Sequence, residues 1–142
     1  MYDIRQVLRD KGGDIYTVSP DEMVIDAIRR MAEHGVGALL VMQDGEMKGM
    51  FSERDYARRV ILAGRSSRET QVREVMTSPL VTIEPDTPAR EGLALMTRNR
   101  IRHLPVVEKG VLIGLISIGD LVNAVITDQR RLIDELKNYV RG

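Results

Sequence analysis

Length, composition and charge limit the kind of protein that this chain can be. The chain has 142 residues, and its 21 Lys and Arg balance its 21 Asp and Glu, so the formal net charge is zero. A balanced charge argues against a nucleic-acid or anionic-membrane partner, which a strong basic excess would favour. The chain has no cysteine, which excludes disulfides, a thiolate nucleophile and a zinc–thiolate site.

Targeting and membrane-spanning patterns are not evident in the sequence. The N-terminus, Met-Tyr-Asp-Ile-Arg-Gln, contains no apolar h-region. No apolar stretch approaches the roughly 18 residues that suggest a membrane span. We therefore expect a soluble, cytoplasmic protein with neither membrane nor nucleic acid among its partners.

An internal repeat is the most informative feature of the sequence. Residues 80–126 align with residues 15–61 without a gap, at an offset of 65 positions that places Pro85 under Pro20. A repeat of this length indicates a duplicated supersecondary unit whose copies need each other to cover their apolar faces. Because each copy is near the size at which a core is marginal, we expect the copies to share one core, with function between them.

Each copy is predicted to begin with a short strand and a helix. The strands, residues 15–18 and 81–83, end near a proline, which discourages further strand pairing. Apolar residues then recur at helical spacing, and Asp21 and Asp86 precede these helices as expected N-caps.

A hairpin and a second helix complete each predicted copy. Asp44-Gly45 and Lys109-Gly110 are dipeptides that favour tight turns between two strands. Ser52 and Ser117 follow the hairpins as expected N-caps. The fold class is therefore mixed α/β (α+β), with two β-α-β-β-α repeats. The hairpin strands are expected at 38–42, 47–51, 103–107 and 111–116, and the amphipathic helices at 53–63 and 118–127.

The chain is divided into consecutive segments on this basis. We predict one domain at residues 8–64, a connector at 65–78, a second domain at 79–127 and a C-terminal helix at 128–142. The connector is too short to separate independent domains. The C-terminal helix carries an apolar stripe that is expected to cap the core or to meet another subunit. The stripe consists of Leu132, Ile133, Leu136 and Val140.

Both copies carry one motif at the turn from the hairpin into the last helix. The motif reads Gly49-Met-Phe-Ser-Glu-Arg-Asp55 in the first copy and Gly114-Leu-Ile-Ser-Ile-Gly-Asp120 in the second. With these motifs the chain resembles, over about residues 8–127, a tandem pair of cystathionine-β-synthase-type (CBS) domains, or Bateman module. Further matching segments are Val75-Met76-Thr77, Pro79-Leu-Val-Thr82 and Arg102-His-Leu-Pro-Val-Val107.

The resemblance implies a non-catalytic regulatory module whose repeats pack with pseudo-twofold symmetry. Members of this family commonly bind AMP, ADP, ATP, NAD or S-adenosylmethionine in two clefts between the repeats. The motif aspartate is expected to hold the ribose hydroxyls, the motif serine to lie near phosphate or ribose, and backbone around the first strand to read the adenine edge. The expected ligand-binding residues are Thr17, Ser52, Arg54, Asp55, Arg58, Val81, Thr82, Arg102, His103, Leu104, Pro105, Ser117 and Asp120.

The chemistry of the motif supports this expectation independently. A carboxylate at the first turn of a helix, with its side chain free, can accept both vicinal hydroxyls of a ribose. Backbone N–H groups at a helix start, together with a serine hydroxyl, form a seat for phosphate. Guanidinium groups such as those of Arg54 and Arg58 suit bidentate phosphate binding.

The same residues also have purely structural interpretations. The motif aspartates could be first-turn residues favoured by the helix dipole, and the serines are N-caps in either case. The motif glycines are expected to permit close backbone packing, and the alternative is that they line a cleft directly. Arg54 and Arg58 could lie on a solvated helix face, and His103 could be a half-buried strand residue bonded to a neighbour.

The two copies differ in charge near the motif, so their clefts are expected to be inequivalent. Arg102 and His103 in the second copy stand where the first has small apolar residues. Arg54 and Arg58 in the first copy stand where the second has Gly119 and Asn123. The second copy keeps the fuller family pattern, and we expect it to bind better.

Three classes of function follow from these observations. The first is an adenine-nucleotide sensor that forms a homodimer through helices 53–63 or 118–127 and acts in trans on a separate protein. The second is a constitutive interaction module that has lost ligand binding. A small enzyme is disfavoured, because the sequence has no nucleophile elbow, no phosphate-binding Gly-Lys-Ser/Thr loop and no metal-spaced ligand cluster. We expect no catalytic cofactor and no metal.

Overall fold

Each repeat supplies one antiparallel hairpin, and the structure builds one unit around each hairpin. The chain is described by a computed structural model over residues 2–141. Unit 2 is formed by Ile15–Leu80, whereas unit 1 combines the N-terminal segment up to Asp14 with the chain from Val81 onward. The N-terminal segment therefore belongs with the second repeat, although the division drawn from the sequence joins residues 8–14 to the first.

Unit 2 contains the first repeat and a three-stranded sheet in the order β1-β2-β3. Strand β1 (Thr17–Val18) is parallel to β2 (Ala38–Gln43), which is antiparallel to β3 (Glu46–Ser52). The predicted helix 53–63 begins as an α-helix but continues as a π-helix, with hydrogen bonds from residue i to i−5. The helices are α2 (Val24–His34), α3 (Glu53–Asp55), the π-helix (Tyr56–Ile61) and α4 (Val72–Val75).

Unit 1 contains the second repeat and a two-stranded antiparallel sheet. Strands β4 (His103–Glu108) and β5 (Val111–Ser117) have the same register as β2 and β3, at the predicted offset of 65 from Ala38 to His103. The predicted strand 81–83 is reduced to one bridge between Ile83 and Val106. The helices of this unit are α1 (Ile4–Lys11), α5 (Ala89–Asn99) and α6 (Ile118–Arg141).

Each unit contains a cluster of buried side chains. Leu39 and Phe51 are fully buried in unit 2, and Ile4 and Leu104 are fully buried in unit 1. A further core shared by the two copies stays a prediction from the sequence. Each repeat reaches a core of its own because a short helix from outside the repeat adds apolar side chains to it.

The short helices α1 and α4 close the two units with the same main-chain hydrogen bonds. In unit 1 the Ile4 N–H donates to the Thr87 carbonyl at 2.9 Å. In unit 2 the Val72 N–H donates to the Glu22 carbonyl at the same distance. Each helix thus precedes one repeat in the sequence and packs with the other.

Ion pairs at the same two junctions repeat as well. Arg5 of α1 pairs with Asp86 at 3.1 Å and also with Glu108. Arg73 of α4 pairs with Asp21. The helices are therefore related by an offset of 68, from Arg5 to Arg73, whereas the rest of the repeat has an offset of 65.

The prediction that Asp21 and Asp86 are N-caps is wrong. Helices α2 and α5 begin further along, with Met23 and Pro88 at their N-cap positions and no side-chain cap. Both aspartates instead lie in the preceding turns, where their carboxylates pair with the arginines of α1 and α4. An ion pair with a distant segment was not visible in the local pattern.

Close packing at Gly49 and Gly114 confirms the structural interpretation of the motif glycines. A Cβ atom at Gly49 would lie 2.7 Å from the Thr77 carbonyl oxygen and 2.9 Å from Met76 Sδ. A Cβ atom at Gly114 would lie 2.5 Å from Leu8 Cδ2. At Gly49 only a residue without a side chain allows the segment after α4 to approach the strand this closely, and at Gly114 a side chain would force the Leu8 side chain of α1 to move.

Helix α6 joins two segments that the sequence treats separately. It runs without interruption from Ile118 to Arg141, and its residues from Gln129 onward are exposed. Leu132 and Leu136 are each 57% exposed, so this half of the helix does not cap the core of unit 1, which was one of the two roles expected for the stripe. No helix within residues 2–141 has both the length and the apolar character needed to cross a membrane.

The two glycines give a matched prediction for stability. Gly49→Ala should destabilise the protein by about 1–3 kcal/mol, because the new methyl group meets the rigid backbone carbonyl of Thr77. Gly114→Ala should cost less, since the Leu8 side chain can rotate away. Gly119→Ala, at a position with room for a methyl group, serves as the control. Urea denaturation measures all three, and equal stability of the Gly49 and Gly119 variants would contradict the packing argument.

Candidate functional site

The Ser-x-x-Asp part of the motif folds into a capping box at the end of each hairpin. In unit 2 the Ser52 N–H donates to Asp55 Oδ2 at 3.0 Å, and the Asp55 N–H donates to Ser52 Oγ at 3.2 Å. In unit 1 the Ser117 N–H donates to Asp120 Oδ2 at 2.8 Å, and the Asp120 N–H donates to Ser117 Oγ at 3.2 Å. Ser52 and Ser117 are therefore the N-caps that the sequence predicts.

The expectation of a free motif carboxylate is wrong, because both carboxylates already accept hydrogen bonds. In unit 2 Asp55 Oδ2 also accepts from Ser52 Oγ at 3.0 Å. Asp55 Oδ1 accepts from Thr77 Oγ1 at 2.9 Å. The main chain of Thr77 is fixed by two hydrogen bonds with Met50, of 2.8 and 3.0 Å. The neutral donors on Asp55 thus come from its own turn and from the segment after α4.

In unit 1 a lysine takes the place of this threonine. Lys11, the last residue of α1, donates from Nζ to Asp120 Oδ2 at 2.7 Å and to the Leu115 carbonyl at 2.7 Å. Leu115 is the equivalent of Met50 at the offset of 65. The ammonium group of Lys11 therefore bonds both the strand carbonyl and the motif carboxylate. In unit 2 the main chain of Thr77 bonds the strand, and its hydroxyl group bonds the motif carboxylate.

Two opposing effects set the ionisation of Asp120. Burial raises the pKa of its carboxyl group, but hydrogen bonds from Lys11 and from the Ser117 N–H outweigh burial and bring the pKa below its usual value. The carboxylate is therefore charged at neutral pH. With 24% of its side-chain surface exposed, it can still be reached by a ligand.

The other predicted residues of unit 2 lie on the surface near the motif. Thr17 is exposed on β1, and its carbonyl accepts a hydrogen bond of 2.8 Å from Arg30. Arg54 is half-buried in α3, directly before Asp55. Arg58 is exposed on the π-helix.

The predicted residues of unit 1 divide into a surface group and a buried group. Thr82 and Arg102 are exposed, and His103 is half-buried opposite Ser117 in the sheet. Val81 packs against the core of this unit.

Leu104 and Pro105 are the buried members. The Leu104 side chain is fully enclosed in the core, and the Pro105 carbonyl accepts a hydrogen bond of 3.0 Å from the Ile83 N–H. Their side chains therefore support the strand, which leaves the surface group of unit 1 as the better candidates for contact with a ligand.

Lys11 and Thr77 are site residues that sequence reasoning missed. Thr77 lies in Val75-Met76-Thr77, one of the segments that carry the family resemblance, so a signal for it was available. Lys11 lies before the repeat begins, and its position on Asp120 depends on the packing of α1 with the second repeat.

A cavity of about 280 Å³ opens beside Asp120 within unit 1. This volume is close to the lower end of the range of small-molecule sites, about 300–1,000 Å³. The polar residues that line it are Asp10, Lys11, Asp120, Asn123 and Thr127. Among residues 2–141, no cluster of His, Asp and Glu has the arrangement of a metal site.

Known proteins of the same architecture resemble the chain over nearly its whole length. A family model of the CBS domain matches residues 4–62 and 72–127. The mitochondrial CBS domain-containing protein CBSX3 of Arabidopsis thaliana is 40% identical over 148 residues, which cover 98% of this chain and 72% of the relative. The structure of a protein with CBS domains from Burkholderia ambifaria matches with a TM-score of 0.86 and 51% identity, over 90% of this chain and 96% of that one.

A third match comes from a larger assembly. The hexameric CBS-CP12 protein from bloom-forming cyanobacteria matches with a TM-score of 0.77 and 25% identity, over 86% of this chain and 70% of that chain. The mixed α/β class and the duplicated unit predicted from the sequence are confirmed by these matches. The chain therefore belongs to the CBS domain family, and it carries a tandem pair of CBS domains.

Proposed function

We propose that this chain is a regulatory module that binds an adenosine-containing ligand, such as AMP, ATP, NAD or S-adenosylmethionine, and signals the presence of the ligand to a separate protein. CBS domain pairs are in general regulatory, ligand-binding modules. The observation that carries the proposal is the capping box, which holds a partly exposed motif carboxylate in the same way in both units.

The capping box prepares each carboxylate to receive ribose hydroxyls. A carboxylate has about four acceptor positions, and the serine N–H fixes its orientation before a ligand arrives. At Asp120 the bonds from the Ser117 N–H and from Lys11 Nζ both end on Oδ2, whereas at Asp55 the bonds from Ser52 and Thr77 engage both carboxylate oxygens. This concentration of bonds on one oxygen favours unit 1 as the stronger site.

Cationic side chains are the better candidates for holding the phosphate. The first N–H group of α6, on Ile118, already donates to the Arg102 carbonyl at 2.8 Å, and the Ser117 N–H is used by Asp120. The phosphate seat expected from backbone donors is thus partly occupied. We assign phosphate binding to Arg102 and His103 in unit 1 and to Arg54 and Arg58 in unit 2.

Ligand binding is tested by thermal denaturation and calorimetry with AMP, ADP, ATP, NAD and S-adenosylmethionine. A ligand at about 100 times its dissociation constant should stabilise the fold by roughly 2.7 kcal/mol. Asp120→Asn should abolish the stronger binding event, because an amide removes the charge that strengthens the bonds to the diol. Asp55→Asn should affect only the weaker event.

Asp128→Asn is the control for the loss of one negative charge on α6, since this residue lies beyond the motif on the same helix. It should bind like the natural protein. If none of the five compounds shifts the melting temperature at millimolar concentration, the chain is an interaction module that has lost ligand binding.

A second proposed role, self-association, is supported by the exposed apolar stripe on α6. Leu132, Ile133, Leu136 and Val140 are more than half exposed, although apolar side chains at this spacing normally face a partner. The match to a hexameric protein shows that this architecture is compatible with assembly. We assign the homodimer contact to this stripe. It lies C-terminal to helices 53–63 and 118–127, which the sequence suggests as the contact.

Leu136→Asp should convert the dimer to a monomer, because it places a charge in the centre of the stripe. Asn138→Asp adds the same charge on the opposite side of the helix and should leave the dimer intact. Light scattering coupled to size-exclusion chromatography measures the mass. A natural protein that is monomeric at high concentration would contradict the assignment.

A further inference from the structure

The position of Lys11 on the motif carboxylate of unit 1 has a consequence for ligand selection. We propose that Lys11 is a specificity-determining residue, which exchanges its ion pair with Asp120 for the phosphate of the bound ligand. Unit 1 thereby selects phosphorylated nucleosides over uncharged ones. The inference rests on the proposed function, because it concerns the same Asp120 site.

Lys11 is placed so that it can leave Asp120. It is the last residue of α1, it is followed by Gly12 with a φ of 93°, and 32% of its side-chain surface is exposed. Its contacts to Asp120 and to the Leu115 carbonyl are made by Nζ at the end of a flexible four-carbon stem. The ammonium group can therefore move by rotation of its own side chain, while the hydrogen bonds of α1 stay in place.

A ribose diol competes with Lys11 for the same carboxylate. Asp120 Oδ2 already accepts from Lys11 Nζ at 2.7 Å and from the Ser117 N–H at 2.8 Å. A ligand that uses both carboxylate oxygens weakens the bond to the ammonium group, which then needs another anion. A phosphorylated ligand brings that anion with it, whereas an uncharged nucleoside leaves the ion pair uncompensated.

The charges that line the adjacent cavity make this exchange selective. Asp10 and Asp120 are carboxylates, and Lys11 is the cation among the described residues that line the cavity. Asn123 and Thr127 supply neutral polar groups. Without Lys11 the cavity would present two negative charges to a phosphate, which would oppose the attraction from Arg102 and His103 of the same unit. The lysine therefore adds to the preference for an anionic ligand.

Unit 2 provides an internal comparison. There the closing segment contributes the neutral hydroxyl of Thr77, at 2.9 Å from Asp55, where unit 1 has the ammonium group of Lys11. A preference for phosphate in that unit would come from its own arginines. Lys11 variants are therefore expected to change selection in unit 1 alone.

The test compares AMP with adenosine, which share the diol and the base and differ by the phosphate. Isothermal titration calorimetry in an Asp55→Asn background isolates unit 1. Lys11→Gln should lower the ratio of AMP affinity to adenosine affinity by about tenfold, the effect of one charge-assisted hydrogen bond. Lys11→Arg, which keeps the charge, should retain most of the preference.

Arg9→Gln removes one positive charge from an exposed position of the same helix and should leave the ratio unchanged. Circular dichroism melting checks that each variant is folded. An unchanged ratio in a folded Lys11→Gln variant that still binds AMP would overturn the inference and leave the proposed function standing. The inference would also be overturned if Lys11→Gln raised the affinity for AMP and the affinity for adenosine by the same factor. Lys11 would then compete with both ligands for Asp120 without selecting between them. If the protein binds neither AMP nor adenosine, the inference fails. The proposed function fails with it only if ADP, ATP, NAD and S-adenosylmethionine do not bind either.

Discussion

Closure of each hairpin by a helix from outside its own repeat is the constraint on which the rest of the structure depends. Helix α1 precedes the first repeat and packs in the unit of the second, and α4 precedes the second repeat and packs in the unit of the first. Gly49 and Gly114 favour this closure, because a side chain would collide with the Thr77 backbone at Gly49 and would displace the Leu8 side chain at Gly114. The same closure delivers Thr77 to Asp55 and Lys11 to Asp120.

Packing and ligand chemistry therefore meet at the motif. Its glycine accepts the closing segment, its serine caps the next helix, and its aspartate completes the capping box while part of the carboxylate stays exposed. The structural and functional interpretations of the aspartate are compatible, because a cap needs one or two acceptor positions of a group that offers about four. The two units differ in the donor that the closing segment contributes, a hydroxyl in one and an ammonium group in the other.

Elements that follow from local patterns could be predicted from the sequence, and elements that depend on distant packing could not. The hairpins and the serine caps agree with the structure, since turn residues and strand alternation act over a few positions. The close packing expected at the motif glycines is confirmed too, although the segments packed against them could not be named from the sequence. The local pattern indicates caps at Asp21 and Asp86, because the partners that these aspartates have in the structure, Arg73 and Arg5, are far away in the sequence. The position of Lys11 depends on the packing of α1 with the second repeat, and the offset of 65 between the repeats does not reveal this packing.

The central claim is that α1 and α4 each pack with the repeat that they do not precede. Amide hydrogen exchange of a matched pair of core variants tests this claim most directly. Ile4 in α1 and Val72 in α4 are equivalent at the offset of 68, and both are fully buried. Ile4→Ala should cost about 2–5 kcal/mol and lower amide protection in β4 and β5, with β2 and β3 unaffected. Val72→Ala should have a smaller effect, confined to β2 and β3. Loss of protection in β2 and β3 on mutation of Ile4 would contradict the account, because α1 would then support the repeat that it precedes in the sequence.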